Sequence, residues 1–137
     1  LKTGQTHEEP MDDLSAEFPV IDTRRMGRPN RYSYHVRIPQ ARTLQFDGVV
    51  KYDLHDGSRT VLPFGDGRLG SEVAFAPRIG GTDEDDGYLM TFVDDRAADR
   101  SELWRGPLGR VKIPQRVPLG FHACWAPGDR LPAEDHG

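Results

Sequence analysis

Three short runs decide the fold of this chain: YSYHVR at residues 32–37, VVKYDL at residues 49–54 and RTVLPF at residues 59–64. In the first run, Tyr32, Tyr34 and Val36 alternate with polar residues, which is the period of a half-buried strand. Asp56-Gly57 separates the other two runs and is typical of a hairpin turn, because glycine adopts positive φ without strain. The sequence therefore predicts antiparallel β-structure here.

Similar short runs recur along the rest of the chain. They are Thr43–Leu54 (which contains the second run), Glu72–Arg78, Tyr88–Val93, Ser101–Arg105, Arg110–Ile113 and Gly120–Trp125. Val49 and Val50 beside Gly48 interrupt the alternation and predict a bulge or a strand break. Only residues 94–100 have modest helical capacity. Short strands separated by Gly, Pro and Asp favour an all-β sheet, barrel or propeller, and no repeat of about 40–50 residues selects the propeller by itself.

The composition of the sequence limits which classes of protein this chain can belong to. The length of 137 residues suits one small domain or a piece of a larger one, and 15 Gly with 11 Pro leave little room for long helices. A formal net charge of -4 without a basic run argues against a nucleic-acid partner. No apolar run approaches the roughly 18–20 residues of a membrane span.

The cysteine content and the first residue of the sequence each lead to one further expectation. The one cysteine, Cys124, excludes an internal disulfide and a zinc-finger site, and it agrees with a reducing, cytoplasmic location. The sequence begins at Leu1 without a methionine, so we expect a fragment of a longer protein.

Among the five histidines, His122 is the candidate metal ligand. It lies in an apolar context two residues after Gly120, and a neutral imidazole can bind a metal through one nitrogen while the other donates to a carboxylate. The alternative is a buried histidine bonded to a backbone carbonyl. His7, His35, His55 and His136 lie in polar surroundings, and we expect them to face solvent. For Cys124 we expect a small buried thiol rather than a nucleophile.

Carboxylates form the other candidate group. The acidic cluster Asp83–Asp86 lacks the spacing of a calcium loop, so it is typical of a solvated hairpin turn, although one of its members could face inward beside a metal ligand. Glu17, directly before Phe18-Pro19, is either a surface carboxylate or a similar inward partner. The glycines of 65–70 lack the residues of a phosphate-binding loop.

Four motifs together resemble the C-terminal part of the carotenoid cleavage oxygenase family, which includes the lignostilbene dioxygenases and the retinoid isomerase of the eye. They are Glu17-Phe18-Pro19-x-Ile21-Asp22; Gly27-Arg28 with Arg31-Tyr32-x-Tyr34; Glu84-Asp85-Asp86-Gly87-Tyr88; and Pro114-Gln115-Arg116-Val117-Pro118-x-Gly120-Phe121-His122. The resemblance covers residues 15–127, with residues 1–14 as a linker or loop before it and residues 128–137 as a polar tail after it.

The resemblance implies a fold and a metal site. The fold is a seven-bladed β-propeller, of which this chain is the C-terminal part with about two blades. The metal is Fe(2+), held on the propeller axis by four histidines. His122 matches the last of these ligands, and Glu17 and Glu84 match glutamates that bond to iron-bound imidazoles and fix their orientation. Phe121 is expected to line the substrate tunnel.

The reaction that the resemblance implies is cleavage of a conjugated C=C bond by O2 to two carbonyl products. The substrate is an apolar carotenoid, apocarotenoid or stilbene-like molecule, and transient membrane contact is compatible with it. The other iron ligands are expected upstream, in the rest of its own propeller, so we expect the chain alone to be inactive. Its open sheet edges predict marginal stability. The alternatives are a non-catalytic β-sheet binding module that retains only the scaffold, and an isomerase or hydrolase on the same fold.

Overall fold

Antiparallel β-strands form this chain, as its alternating runs predict. The computed structural model describes residues 3–105, 108–120 and 122–130. The strands are β1 (Ala16–Val20), β2 (Tyr32–Arg37), β3 (Gly48–Asp53), β4 (Arg59–Pro63), β5 (Arg68–Gly70), β6 (Ala74–Pro77), β7 (Gly87–Asp95), β8 (Arg100–Arg105) and β9 (Gly109–Lys112). Thr23–Arg25 and Gly128–Arg130 are short 3-10 helices. Within these described ranges no helix has the length and apolarity to span a membrane.

The strands form two antiparallel sheets. The first has the order β1-β2-β3-β4, and its β3–β4 hairpin turns at Asp56-Gly57, where Gly57 has a φ of 73°. The second has the order β5-β7-β8-β9, and β6 also pairs with β7. One edge of the second sheet is therefore made of two short strands, β5 and β6, with residues 71–73 between them. We call this edge the split edge. The all-β prediction is confirmed.

The two sheets pack face to face around an aromatic core. Tyr34 of β2 stacks on Phe75 of β6, with ring centroids 5.5 Å apart and planes 15° apart. Phe64 meets Trp104 of β8 edge to face at 5.5 Å. Val36 is fully buried in the same cluster. Because aromatic side chains bury large apolar areas, these contacts hold the sheets in one orientation.

Arginine–aspartate pairs fasten neighbouring strands and turns. Arg31 binds Asp53 of β3 through Nε and Nη2. Two further pairs of the same kind join Arg37 to Asp47 and Arg78 to Asp86. The planar guanidinium matches a carboxylate with two parallel bonds, which a lysine ammonium cannot do.

Three local predictions are wrong. Residues 94–100 form no helix: β7 continues to Asp95, whose Oδ1 accepts the Ala98 amide and closes a tight turn into β8. The predicted strand at 120–125 is absent from its described residues, 120 and 122–125. Val49 and Val50 pair regularly with both β2 and β4, whereas the register shifts in β1, between Glu17 and Val20.

Close backbone approach at the start of β3 gives a test of this packing. A Cβ on Gly48 would lie 2.8 Å from the carbonyl oxygen of Leu62 on β4, so Gly48→Ala must push the two strands apart. We expect a loss of about 1–3 kcal/mol in the free energy of unfolding, measured by urea denaturation. Gly109→Ala at the start of β9 is the matched control, because a Cβ there meets nothing within 4 Å. Equal stabilities of the two variants would contradict the packing.

Candidate metal centre

His122 lies at the split edge of the second sheet. Its Nδ1 is 3.4 Å from Oε2 of Glu72, in the gap between β5 and β6. The same Glu72 oxygen accepts the backbone N–H of Ala123 at 2.7 Å. Glu72 therefore contacts both the imidazole and the backbone next to it. The His122 side chain is 82% exposed, so the alternative of a buried structural histidine is wrong.

An aromatic ring from the first sheet supports the imidazole on another side. The Phe18 ring meets the His122 ring edge to face at 5.5 Å and the Phe46 ring at 5.6 Å. Phe18 has a φ of 55°, which is uncommon for a residue with a side chain and marks local strain. This strain coincides with the register shift in β1, and Pro19, which cannot donate to the ladder, is the sequence signal for it.

The residues at His122 fit a metal site to which this chain contributes one imidazole ligand. The Glu72 carboxylate faces Nδ1, and no described residue bonds Nε2, the nitrogen that remains for a metal. Within residues 3–105, 108–120 and 122–130, no group of three or more His, Cys, Asp or Glu side chains could hold an ion. The described part of the chain thus offers one imidazole ligand with its orienting carboxylate.

The other predicted site residues lie apart from this contact. Glu17 is an exposed residue of β1 and pairs in register with Val36. The Glu84 carboxylate accepts the backbone N–H groups of Arg31 and Tyr32, both at 2.7 Å, and Arg25 lies 3.1 Å away. Their assignment to iron-bound imidazoles stays a prediction. Phe121 lies outside the described residues.

The acidic turn, Asp83–Asp86, closes the β6–β7 hairpin as predicted, but it is bonded rather than simply solvated. Its Asp85 accepts the Tyr34 hydroxyl and pairs with Lys51 of β3, both in the first sheet. Glu84 caps the start of β2, and Asp86 pairs with Arg78. The acidic turn therefore joins the two sheets, and the carboxylates of Glu84, Asp85 and Asp86 already have cationic, N–H or O–H partners.

Two predictions about single side chains are corrected. Cys124 is exposed rather than buried, because the chain around it forms no strand and crosses the surface. His35 is half-buried: it stacks edge to face on Tyr52 at 5.2 Å, its Nε2 bonds to the Ser33 hydroxyl at 2.8 Å, and burial lowers its pKa.

Glu72 is the site residue that sequence reasoning missed. It was assigned to the strand predicted over Glu72–Arg78, but β6 begins at Ala74, and Glu72 lies in the gap before it. Its partners are 50 and 51 residues away in the chain, so no local pattern reveals them. The one local feature that distinguishes Glu72 is its position as a charged residue directly before Val73, which is fully buried.

An apolar cleft of about 250 Å³ opens beside the site. Its walls come from β1 and the residues after it, from the start of β6, and from the chain that follows His122. The lining includes Val20, Ile21, Met26, Phe75, Ala123 and Trp125. Such a lining accepts an uncharged, apolar molecule better than a polar one.

Known proteins resemble this chain in sequence and in fold. A family model described as retinal pigment epithelial membrane protein, RPE65, matches residues 1–127. The carotenoid 9,10(9',10')-cleavage dioxygenase 1 of Pisum sativum is 34% identical over 154 residues, which cover 96% of this chain and 28% of that protein. The chain thus spans little more than a quarter of the length of this curated relative.

Solved structures share the fold. The lignostilbene dioxygenase of Pseudomonas brassicacearum superposes with a TM-score of 0.78 at 30% identity, covering 88% of this chain and 29% of that one. A cobalt-substituted apocarotenoid oxygenase of Synechocystis gives a TM-score of 0.74 at 30% identity, covering 85% of this chain and 26% of that one.

The bond between Tyr34 and the acidic turn predicts a pH dependence. Burial, followed by the hydrogen bond to Asp85, raises the pKa of the Tyr34 hydroxyl above its ordinary value near 10. A raised folded-state pKa gives stability that is present below the unfolded-state pKa and is lost as the pH rises beyond it. The free energy of unfolding should therefore fall from about pH 10 upward.

Tyr34→Phe isolates this effect, because the substitution removes the hydroxyl and keeps the buried ring. We expect the variant to be less stable by about 0.5–1.5 kcal/mol at pH 7 and to approach wild type at alkaline pH. Chemical denaturation between pH 7 and pH 11 measures both. A difference that stays constant across this range would show that Tyr34 is not the titrating group.

Proposed function

This chain belongs to the family of the retinal pigment epithelial membrane protein, RPE65, and we propose that the protein containing it is a dioxygenase. It cleaves a conjugated C=C bond of a carotenoid, apocarotenoid or stilbene-like substrate and yields two carbonyl products. The observation that carries the proposal is the contact between His122 and Glu72, because it presents an oriented imidazole beside an apolar cleft. The curated and structural relatives named above are cleavage dioxygenases and oxygenases by name.

The two sheets are proposed to be neighbouring blades of a seven-bladed propeller. Meandering antiparallel sheets that pack face to face support this arrangement, because blades bury their faces against one another. The remaining blades would come from upstream sequence. With one imidazole ligand among its described residues, the chain alone is proposed to be inactive.

The proposed metal is Fe(2+), with His122 as a ligand through Nε2. Glu72 holds Nδ1 and thereby fixes the orientation of the ring. Glu17 and Glu84 are proposed to orient imidazoles supplied by the rest of the protein. When bound, Fe(2+) supplies the one-electron chemistry that lets O2 react with a closed-shell alkene.

The protein's own residues supply binding and exclusion of water. The cleft beside His122 is lined mainly by aliphatic and aromatic side chains, which favour an uncharged polyene or aryl alkene and disfavour bulk water. Phe121, next to His122 in the chain, is proposed to extend this apolar wall. Phe18 packs against the imidazole ring and limits its rotation.

The metal assignment is tested by substitutions in the full-length protein. His122→Ala should abolish cleavage and reduce bound metal, measured by elemental analysis. Glu72→Gln, which keeps the shape but removes the charge, should weaken metal binding about 10–100-fold. His55→Ala, an exposed histidine in the β3–β4 turn, is the matched control and should behave as wild type.

Glu84→Gln distinguishes the two glutamates. A loss of metal comparable to that of Glu72→Gln would support the assignment of Glu84 made from sequence. Full metal content and activity in His122→Ala would refute the role given to His122.

Oxygen labelling tests the type of reaction. With ¹⁸O2 and a short quench, we expect the label in the carbonyl products, read by mass spectrometry before exchange with water. Product without the label would indicate an isomerase or hydrolase, and absence of any product with full-length protein would favour a binding module.

A further inference from the structure

His122 belongs to a segment that no β-ladder holds. Residues 113–120 and 122–127 form neither strand nor helix, so backbone pairing does not fix where the imidazole stands. A metal ligand must nevertheless be placed to within a fraction of an ångström. Besides the Phe18 ring of the first sheet, side-chain bonds between this segment and the second sheet therefore set the position of His122.

The first of these bonds come from a cross-strand pair. Asp94 of β7 and Ser101 of β8 stand directly opposite each other in the ladder. Asp94 Oδ1 accepts Arg116 Nη2 at 3.0 Å, and the Ser101 hydroxyl oxygen accepts the Val117 N–H at 2.9 Å. Two adjacent residues of the segment are thus bound by two adjacent residues of the sheet.

Further bonds lead from there to the split edge. Gly120 N–H donates to the Ser71 hydroxyl at 3.4 Å, and Ala123 N–H donates to Glu72. Ser71 follows β5, which is two strands away from β8 in the sheet. Two strand spacings are about 10 Å, and three extended residues also span about 10 Å. From Val117 to Gly120, the segment therefore has just the length needed to cross from β8 to the split edge.

We propose that Asp94, Ser101 and Arg116 are positioning residues for the metal ligand His122. They fix the far end of the crossing segment, and Ser71 and Glu72 fix the near end, so that the imidazole stands against Glu72. This inference rests on the proposed function, in which His122 binds the metal. None of the three residues touches the imidazole, and they act through the backbone of residues 116–120, which leads to His122.

Asp94 is buried, whereas Asp99, a second carboxylate that also binds Arg116, is exposed. The Asp94 side chain is 5% exposed, whereas Asp99, whose Oδ1 is 2.7 Å from Arg116 Nη1, is 82% exposed. Arg116 is 61% exposed, so Asp94→Asn leaves no buried charge behind, but it removes the charge-assisted hydrogen bond that ties the segment to the sheet. The Arg116–Asp99 pair is exposed at both ends and contributes little. Asp99 is therefore a control that changes the same arginine without loosening the segment.

The experiment uses the full-length protein loaded with Co²⁺, whose visible absorption reports the geometry of its ligands. Asp94→Asn and Ser101→Ala should alter this spectrum and release Co²⁺ to a chelator about 10-fold faster than wild type. Asp99→Asn should match wild type in both. A change in the spectrum is a readout that a general loss of stability in a folded protein would not produce.

The variants Ser101→Ala and His122→Ala distinguish failure of this inference from failure of the proposed metal ligand. If Asp94→Asn fails to fold, Ser101→Ala, which removes a single hydroxyl, decides alone. A folded Ser101→Ala with the spectrum and release rate of wild type would overturn the inference. If His122→Ala changes the spectrum while Asp94→Asn and Ser101→Ala do not, only this inference fails. If His122→Ala itself leaves the spectrum unchanged, the proposed metal ligand is wrong and the inference falls with it.

Discussion

The contact between the two sheets is the constraint on which the rest of the structure depends. Tyr34 takes part in it twice, since its ring stacks on Phe75 and its hydroxyl donates to Asp85 in the acidic turn. The first contact buries apolar area between the sheets, whereas the second is a polar and directional hydrogen bond. Together they fix both the distance and the register between the sheets, and the Phe18 and His122 rings, one on each side, meet only because of that alignment.

The candidate metal centre uses the irregular parts of an otherwise regular fold. Phe18 lies at a register shift, Glu72 in the gap of the split edge, and His122 on a segment without a ladder. In a regular strand, neighbouring side chains point to opposite faces. Departures from that rule let residues from both sheets converge on one point, at the cost of local strain such as that of Phe18.

Residues close in sequence were predictable, and contacts between distant ones were not. Alternation at Tyr32–Val36 and the Asp56-Gly57 turn predicted the first sheet, because these signals lie within one strand or one hairpin. The weak helical propensity of residues 94–100 is not realised, because Asp94 and Asp95 pair with β8 and residues 96–99 form the turn between the two strands. The motif predicts His122 as a metal ligand, which stays a prediction, but no local pattern predicts its contact with Glu72, because the partners of Glu72 lie 50 and 51 residues further on. Cys124 is exposed, contrary to expectation, because the strand expected around it does not form.

The preference for arginine over lysine has a practical consequence for chemical labelling. Arginine pairs bind the strands, and only three of the 18 basic side chains are lysines, namely Lys2, Lys51 and Lys112. An amine-directed reagent therefore leaves the guanidinium–carboxylate pairs intact. Lys112 lies exposed on β9, whereas the Lys51 side chain is 28% exposed and held by Asp85 across the two sheets. The acylation rate of Lys51 relative to Lys112 thus reports how often the Lys51–Asp85 bond between the two sheets opens.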